Sequence, residues 1–435
     1  MRKKSKVSKK CSPAAEAIGG NEDFLSQILP HLPVKSLSRF KIVSKQWRAL
    51  ICDRQFSLSH ACKNPSYSIP YGIFFYNPLP RDLYFSNHFR NHFYCYTGKP
   101  NNSVSCSNIS PRPDYSIYSV SLSIPQCEAK MPSCSDPYDT WIQPNIELLT
   151  GENRMKMVQS CNGLTLFQFN TSDVQIKLYC IRNLATNQMK MIPLPKLYED
   201  DPIVRCNLAF DLLASPYYKI VCVKNGGKLF GSRIIIYSSE TGQWKDANIP
   251  TNRMSVKFAK GIYCQGAIYW VGNDFLSCYC FRFDVEAEKL RRVSMPEGCL
   301  RGVVYFRYFG EFNGRLHLVC SRYLTEEVFC IYELDKDTES WFVKYRVHMD
   351  FLTSLFPEIV VKGVYNDFQY AFSILCVVSG ENDEDSFLIM TIPGKVISYD
   401  LKRTGIEVLS ELPSLEKMKF QGSNAYPFVP TLYPL

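Results

Sequence analysis

Near the start of the chain, apolar residues recur at helical spacing. They stand at intervals of three and four residues, at Leu25, Ile28, Leu29 and Leu32. This spacing places them on one face of a short helix. Asn21 is suited to cap that helix, because its side-chain oxygen can accept a hydrogen bond from a free backbone N–H of the first turn. The pattern predicts an amphipathic helix directly after residue 21.

Two more short helices are predicted to follow. Pro33 suits the first turn of a helix, where its missing N–H is not needed, and Ser44 suits the cap of another. The apolar faces of these helices are formed by Leu37, Phe40 and Val43, and by Trp47, Leu50 and Ile51. Residues 21–62 are therefore predicted to be a small helical domain whose surplus apolar surface requires a partner.

After Phe56 the pattern changes to short runs rich in Ile, Val, Tyr and Phe, separated by Gly, Asn, Asp and Pro. Examples are "LTLFQF" (164–169), "YKIVCV" (218–223), "RIIIYS" (233–238) and "AIYWVG" (267–272). Runs of this length and composition are typical of antiparallel strands joined by tight turns. Residues 63–435 are therefore predicted to form an all-β domain.

The strands recur in a repeating unit. A hairpin ending near Pro returns at intervals of roughly 45 to 65 residues, which is the length of one four-stranded propeller blade with variable loops. Between several hairpins lies a unit with Gly at its turn, as in "SCNGLTLF", "YCQGAIYW" and "EFNGRLHL". We predict a degenerate β-propeller of about six or seven blades, with a large β-sandwich as the alternative. Residues 98–145, rich in Ser, Pro and Asn, are predicted to be long loops or an insertion.

The charge of the chain is concentrated at its start. The net charge is +9, and six of the positive residues lie within the first ten positions, which leaves +3 for the rest. We predict that residues 1–20 form a disordered basic tail; a nuclear-import signal or an anion-binding arm are the alternatives. Because the remaining chain is close to neutral, nucleic-acid binding is not expected.

The chain shows no apolar stretch of the roughly 18 residues that a membrane helix requires, and no apolar segment follows the basic start. We therefore expect no membrane association and a cytoplasmic or nuclear location, or both. In such a compartment the 18 Cys residues are expected to be reduced thiols, most of them buried in apolar runs.

No pattern of catalytic chemistry is present. The sequence lacks a phosphate-binding loop, a Gly-x-Ser-x-Gly elbow, a His-Glu-x-x-His pair and paired Cys-x-x-Cys knuckles. His88, His92 and Cys95 lie near one another, but a structural zinc site needs four ordered ligands. We therefore predict no catalytic residue, no cofactor and no metal site.

Two parts of the chain resemble plant F-box proteins. "EDFLSQILPHLPVKSLSRFKIVSKQWRALI" (22–51) is similar to an F-box, with "LPVKSL" and "VSKQWRALI" as its most specific segments. F-boxes often begin with Leu-Pro or Ile-Pro where this chain has Gly20-Asn21. The segments "SCNGL", "RNLAT", "FDLLASPYYKIVCV" and "YCQGAIYW" resemble the F-box-associated, kelch-like region. The resemblance thus covers most of the chain.

The resemblance implies a non-catalytic adaptor. An F-box docks onto the Skp-type adaptor of an SCF (Skp, cullin, F-box) ubiquitin ligase, and the β domain binds a target protein for ubiquitination. The residues that the resemblance assigns to the adaptor contact are Leu25, Leu29, Leu32, Pro33, Ser36, Leu37, Ile42, Val43 and Trp47. The target is unknown, and its binding surface is expected where blade loops converge. The alternatives are a binding module outside ubiquitination and an enzyme with an unfamiliar propeller site.

Overall fold

The computed structural model covers the helical start and most strands of the β domain. It describes residues 19–64, 70, 72–78, 91–92, 117–121, 155–170, 177–195, 203–225, 232–249, 261–273, 278–299, 305–321, 325–362, 368–378, 386–411 and 425–435. The predicted basic tail lies outside the described residues except for its last two positions. Of the predicted loop region 98–145, only residues 117–121 are described, and these form a strand.

Four helices form the N-terminal helical unit, residues 19–64. They are α1 (Glu22–Ile28), α2 (Val34–Phe40), α3 (Lys45–Ile51) and α4 (Arg54–Lys63), with a 3₁₀ turn at Leu29–His31. The three predicted helices are present. Helix α4 was not predicted because its sequence, RQFSLSHACK, has no clear apolar period. It begins at a cap in which the Asp53 carboxylate accepts hydrogen bonds from two backbone N–H groups.

The predicted caps of α1 and α3 are confirmed. Asn21 Oδ1 accepts hydrogen bonds from the N–H groups of Asp23 at 2.9 Å and Phe24 at 3.2 Å. Ser44 Oγ accepts one from the N–H of Trp47 at 3.1 Å. Each cap pairs a backbone donor that the helix itself leaves free, so these side chains fix where the two helices begin.

The first three blades follow each other along the chain, each a four-stranded antiparallel sheet of consecutive strands. Blade 1 contains β4 (Met155–Cys161), β5 (Leu164–Asn170), β6 (Lys177–Asn183) and β7 (Gln188–Ile192). Blade 2 contains β8 (Ile203–Ala209), β9 (Lys219–Asn225), β10 (Ser232–Ser238) and β11 (Gln243–Asp246). Blade 3 contains β12 (Gly261–Cys264), β13 (Ala267–Asn273), β14 (Cys278–Asp284) and β15 (Lys289–Val293).

Two further blades and an insertion complete the consecutive series. Blade 4 contains β16 (Tyr305–Phe312), β17 (Arg315–Ser321), β18 (Val328–Leu334) and β19 (Trp341–His348). Blade 5 contains β22 (Ser373–Val378), β23 (Phe387–Ile392), β24 (Lys395–Asp400) and β25 (Ile406–Glu411). Between them lie helix α5 (Met349–Leu355), a 3₁₀ turn at Pro357–Ile359 and the hairpin β20 (Val360–Lys362) and β21 (Phe368–Tyr370).

A sixth sheet closes the ring with strands from both ends of the β domain. The last strand, β26 (Ala425–Phe428), pairs antiparallel with β1 (Gly72–Pro78), which also pairs with β2 (Asn91–His92) and β3 (Ile117–Ser121). Strand β26 lies against both β22 and β4, the inner strands of blades 5 and 1. The domain is therefore a propeller of five consecutive blades and a closing sheet, not a sandwich. The predicted count of about six or seven blades is therefore corrected to five blades and a closing sheet.

The inner strands of the blades run in the same direction, so their following turns meet on one face. The turns at Asn162–Gly163, Gln265–Gly266 and Asn313–Gly314 define this turn face. All six residues have positive φ, between +45° and +87°. Two such residues in a two-residue hairpin loop make a type I′ turn, which favours Asn followed by Gly. The Gly-containing turns predicted from the sequence are therefore confirmed.

The cores lie between neighbouring sheets. One polar network crosses blades 1 to 3 within them: the Trp270 indole N–H donates to Asn207 Oδ1 at 2.9 Å, and the Asn207 amide donates to Gln159 Oε1 at 3.1 Å. Trp270 is fully buried. The amides thus pair the indole N–H that burial would otherwise leave without a partner.

Two pairs of Cys side chains lie together. The structure places Cys206 against Cys222 and Cys299 against Cys320, whereas the sequence predicted separate reduced thiols. Cys206 and Cys222 face each other across β8 and β9. Direct cross-strand opposition brings side chains close, and sequence spacing does not reveal it.

The helical unit packs on the turn face rather than extending away from it. Its buried residues Leu25, Leu29 and Phe56 share one apolar core with Phe167 of β5 and Leu432 of the C-terminal segment. Ser57 Oγ donates a hydrogen bond to the Leu432 carbonyl at 3.2 Å. The guanidinium of Arg54 lies over the ring of Tyr433 at 5.9 Å. The unit is thus attached through α4 to blade 1 and the chain end.

None of the helices in the described ranges has the length and apolar character needed to cross a membrane.

Asn183 holds the C-terminal segment by using its full hydrogen-bonding capacity. Its amide donates to the carbonyls of Thr431 at 3.0 Å and Tyr433 at 2.8 Å, and its Oδ1 accepts from the N–H groups of Ala185 and Thr186. We expect Asn183→Asp to lower the free energy of unfolding by on the order of 3 kcal/mol, because a buried carboxylate would face two carbonyls without a donor. Chemical denaturation measures this loss.

The matched control is Asn248→Asp, at an exposed position after β11 whose positive φ of +50° is adopted by Asp as well as by Asn. This change should alter the free energy of unfolding by less than about 0.5 kcal/mol, as surface substitutions usually do. Equal effects of the two substitutions would contradict the assigned role of Asn183.

Candidate docking face and axial cavity

Three of the residues predicted to contact an adaptor lie inside the protein. Leu25, Leu29 and Leu37 are at most 2% exposed and belong to the core that the helical unit shares with the propeller. Burial of such side chains contributes about 1.5–3 kcal/mol each to folding. In this structure they hold the helices together and present no surface to a partner.

The loop between α2 and α3 presents the most exposed of the predicted residues. Ile42 is 88% exposed and Val43 is 58% exposed. Pro33 is also exposed, whereas Leu32, Ser36 and Trp47 are partly buried. Two adjacent, exposed β-branched residues form the apolar surface that a docking partner could cover.

Sequence reasoning missed one exposed apolar residue and misplaced another. Phe24 and Ile28 of α1 are 51% and 50% exposed. Ile28 was predicted to lie on the buried face with Leu25 and Leu29, but it lies at the edge of that stripe where α1 gives way to the 3₁₀ turn. Phe24 directly precedes Leu25 and lies off the apolar stripe. An aromatic residue beside the stripe was the feature of the sequence that could have indicated an exposed contact residue.

The residues just before α1 lie against the first turn of α3. The Trp47 indole N–H donates to the Gly19 carbonyl at 2.9 Å, and Gln46 Nε2 donates to the Gly20 carbonyl at 3.3 Å. Gly20-Asn21 stands where F-boxes often have a Leu-Pro or Ile-Pro pair. In this chain the segment is held by hydrogen bonds from α3 side chains to its backbone carbonyl groups. Phe24 lies in the first turn of α1, directly after this anchored segment.

A cavity of about 370 Å³ lies on the propeller axis and reaches the turn face. Its walls come from the inner strands and their turns, including Gln159, Ile262, Phe309 and Leu375. Ala61 of α4 also lines it, so the helical unit flanks the cavity. The volume of the cavity, and its lining of both apolar and polar side chains, are typical of a site that binds a small molecule.

The carboxyl group of Glu311 lines the cavity and has a raised pKa. Its Oε1 accepts a hydrogen bond from the Gly314 N–H at 2.7 Å. Burial, with a smaller contribution from the nearby Asp211, raises the pKa of the Glu311 carboxyl from 4.5 to about 7, against the lowering effect of the Gly314 hydrogen bond. A group with such a pKa changes its charge near neutral pH.

The thiols beside Glu311 are not nucleophiles. Cys161 Sγ donates to the Phe210 carbonyl at 3.3 Å, and Cys264 Sγ donates to the Gly314 carbonyl at 3.4 Å. Burial raises the pKa of both thiols, so they stay protonated at neutral pH. Only the deprotonated thiolate form of a Cys side chain acts as a nucleophile. The cavity therefore has groups for binding a ligand and not for covalent chemistry through these residues.

Metal ligands do not assemble in the part of the chain that the structure describes, where no three His, Cys, Asp or Glu side chains are placed to hold an ion. His88 and Cys95 of the predicted cluster lie outside the described residues, as does the side chain of His92.

Comparison with protein families matches both parts of the chain. Residues 21–59 match the F-box domain, and residues 118–382, more than half of the chain, match the F-box associated beta propeller domain. The chain belongs to the F-box-associated β-propeller family. Its helical unit is the F-box, and its β domain is the associated propeller.

Two relatives from Arabidopsis thaliana share this organisation over much of their length. The F-box protein At5g07610 is 26% identical over 93% of this chain and 88% of its own. The F-box/kelch-repeat protein At3g23880 is 22% identical over 68% of this chain and 71% of its own. The resemblance to plant F-box proteins seen in the sequence is confirmed.

Glu311 should make stability depend on pH. The folded protein keeps this carboxyl protonated to about pH 7, whereas the unfolded chain loses the proton near 4.5. Between these values the folded state binds more protons, so the free energy of unfolding falls as the pH rises, by up to about 1.4 kcal/mol per pH unit, less where cavity water screens the charge.

We expect Glu311→Gln to remove this contribution, because the amide keeps an acceptor for Gly314 but does not titrate. Denaturation of both proteins at pH 4.5 to 8 tests the prediction. The difference in the free energy of unfolding, wild type minus variant, should decline with rising pH and level off above about 7. A constant difference would contradict a raised pKa.

Proposed function

We propose that this protein is the substrate-recognition subunit of an SCF ubiquitin ligase. The F-box docks a Skp-type adaptor and through it a cullin-RING ligase, and the propeller binds a target protein. Membership of the family supports this role, and the exposed pair Ile42 and Val43 on a folded F-box carries it, because these side chains need a partner. The chain works without a catalytic residue, in the cytoplasm or nucleus.

In the proposed complex, the predicted adaptor residues divide into two classes. Ile42, Val43 and Pro33 are accessible in the unbound protein and contact the adaptor directly, with Phe24 and Ile28 added to the predicted set. Leu25, Leu29 and Leu37 support that surface from inside. Covering a large apolar side chain contributes about 1.5–3 kcal/mol, so two or three such residues account for much of a specific interface.

The position of the F-box suggests where the target binds. The F-box covers part of the turn face, so the opposite face of the propeller is the one that lies away from it. Strand β19 ends on that face and leads into the insertion Met349–Tyr370. Phe351, Leu355 and Phe368 of this insertion are 38%, 52% and 65% exposed. A target held there would not collide with an adaptor on the F-box.

Bringing a target lysine close to a ubiquitin-charged enzyme is the chemistry that such a subunit supplies. Proximity converts an encounter between separate molecules into a reaction within one assembly, with no reacting group on the scaffold. This mechanism requires the F-box and propeller to keep a fixed relation. Their shared core, from Leu29 to Leu432, meets that requirement.

The double substitution Ile42→Asp, Val43→Asp tests the docking. We expect it to weaken binding to a Skp-type adaptor by at least about a hundredfold, because two carboxylates would have to be desolvated in an apolar contact. The melting temperature should stay close to wild type, since both side chains are exposed. Binding is measured by pull-down and by titration of purified full-length protein with adaptor and cullin.

Val408→Asp in the outer strand of blade 5 is the matched control, because Val408 is 45% exposed and lies far from the F-box in the fold. It should bind the adaptor like wild type. If the folded wild-type protein does not bind any Skp-type adaptor, the ligase role is wrong and a binding module outside ubiquitination takes its place.

A further inference from the structure

The axial cavity gathers two carboxyl groups in a chain whose net charge is +9. Asp211 and Glu311 are the charged residues that line it, and no described Lys or Arg does. None of the ion pairs between described residues involves either carboxylate. A cavity that gathers two carboxyl groups without a cation attracts a positively charged guest.

The geometry of Glu311 leaves one oxygen for that guest. The Gly314 N–H engages Oε1, and no described residue donates a hydrogen bond to Oε2. The carboxyl sits at the end of β16, where the Asn313–Gly314 turn fixes the backbone. An N–H donor entering along the propeller axis would therefore meet a positioned acceptor.

The walls of the cavity suit an apolar body. Aromatic and aliphatic side chains make up much of the lining: Tyr263, Tyr308, Phe309, Phe312, Tyr426, Leu212, Leu213, Ile262 and Leu375. Electron-rich ring faces attract cations, and the aliphatic side chains favour a hydrophobic guest. The amides of Gln159, Asn162 and Gln265 also line the cavity, and they are neutral.

We propose that the axial cavity binds a small organic ammonium ion, with its N–H group on the Glu311 carboxylate and its apolar body along the wall formed by Tyr263 and Phe309. The carboxylates exclude an organic anion of the same size. A bare metal ion is not favoured, because no described group of three ligands surrounds the cavity. Ala61 of the F-box flanks the cavity, which favours a small molecule over a protein segment. The proposal does not depend on adaptor docking.

The other titratable groups that face the cavity do not compete with Glu311 near neutral pH. Burial raises the pKa of Cys161, Cys264, Tyr263, Tyr308 and Tyr426, so all five stay protonated and uncharged. Asp211 adds a second carboxyl at the mouth, where its Oδ1 accepts a hydrogen bond from the Leu213 N–H at 3.0 Å. Binding of a cation should therefore be linked to loss of the proton of Glu311.

The test uses three probes of nearly equal size with the full-length protein: 2-phenylethylammonium, the neutral 2-phenylethanol and the anion 3-phenylpropanoate. Titration calorimetry at pH 6 and pH 8 gives each dissociation constant. The ammonium ion should bind at least about tenfold more tightly than the alcohol, and the anion should bind more weakly than either. With a pKa of about 7, the ionised fraction of Glu311 makes cation binding about tenfold tighter at pH 8 than at pH 6.

Two variants locate the site. Glu311→Gln should remove both the preference for the ammonium ion and the pH dependence, whereas Glu407→Gln, an exposed acid of blade 5, should change neither. Leu213→Lys places a cation at the mouth on a side chain that is 63% exposed. This variant should weaken ammonium binding at least about tenfold by like-charge repulsion, with an unchanged melting temperature.

Equal binding of the ammonium ion and the alcohol would overturn the proposal, as would tighter binding of the anion or no binding of the cation. If Glu311→Gln fails to fold, the Leu213→Lys variant tests the proposal instead. An unchanged affinity of that variant for the ammonium ion would show that the ion binds outside the axial cavity and would overturn the proposal. Adaptor binding measured with the same wild-type protein separates this outcome from a failure of the ligase role.

Discussion

The C-terminal segment, residues 425–435, is the element on which the rest of the structure depends. Its first half, β26, supplies the inner strand of the closing sheet and pairs with β1 from the opposite end of the domain. Its second half crosses the turn face, where Asn183 holds two of its carbonyls and Tyr433 donates a hydrogen bond to the Pro216 carbonyl at 2.5 Å. One stretch of chain thus closes the ring and joins blades 1 and 2.

The same segment seats the F-box. Leu432 lies in the core that the F-box shares with blade 1, and its carbonyl accepts the hydroxyl of Ser57. Gly163 shows how closely the segment approaches: an added Cβ would lie 2.5 Å from the Thr431 methyl group, at a residue whose φ is +87°. The F-box and the propeller thus share one packed core that includes this segment.

Local patterns in the sequence predicted the local structure well. Asn21 and Ser44 cap helices, and the Gly-containing turns are type I′, because each depends on residues within a few positions of each other. Helix α4 was missed because only Phe56, Ser57 and His60 among its residues are buried, a set without apolar periodicity. The closing sheet was missed because β1 and β26 are separated by most of the chain, and no local pattern records which distant strands pair.

The candidate sites were predictable to different degrees, for a physical reason. The motif assigned Ile42 and Val43 to the adaptor contact, and both are exposed, although Val43 was expected on the apolar face of α2 with Leu37 and Phe40. It could not tell that Leu25, Leu29 and Leu37 face inward, because a helix that packs on a second domain has two apolar contacts to satisfy. No pattern in the sequence predicted the axial cavity. Its two carboxyl groups come from different blades, Asp211 after β8 and Glu311 in β16, and only closure of the ring brings them near each other. Since that closure rests on β26, the segment that seats the F-box also creates the cavity beside it.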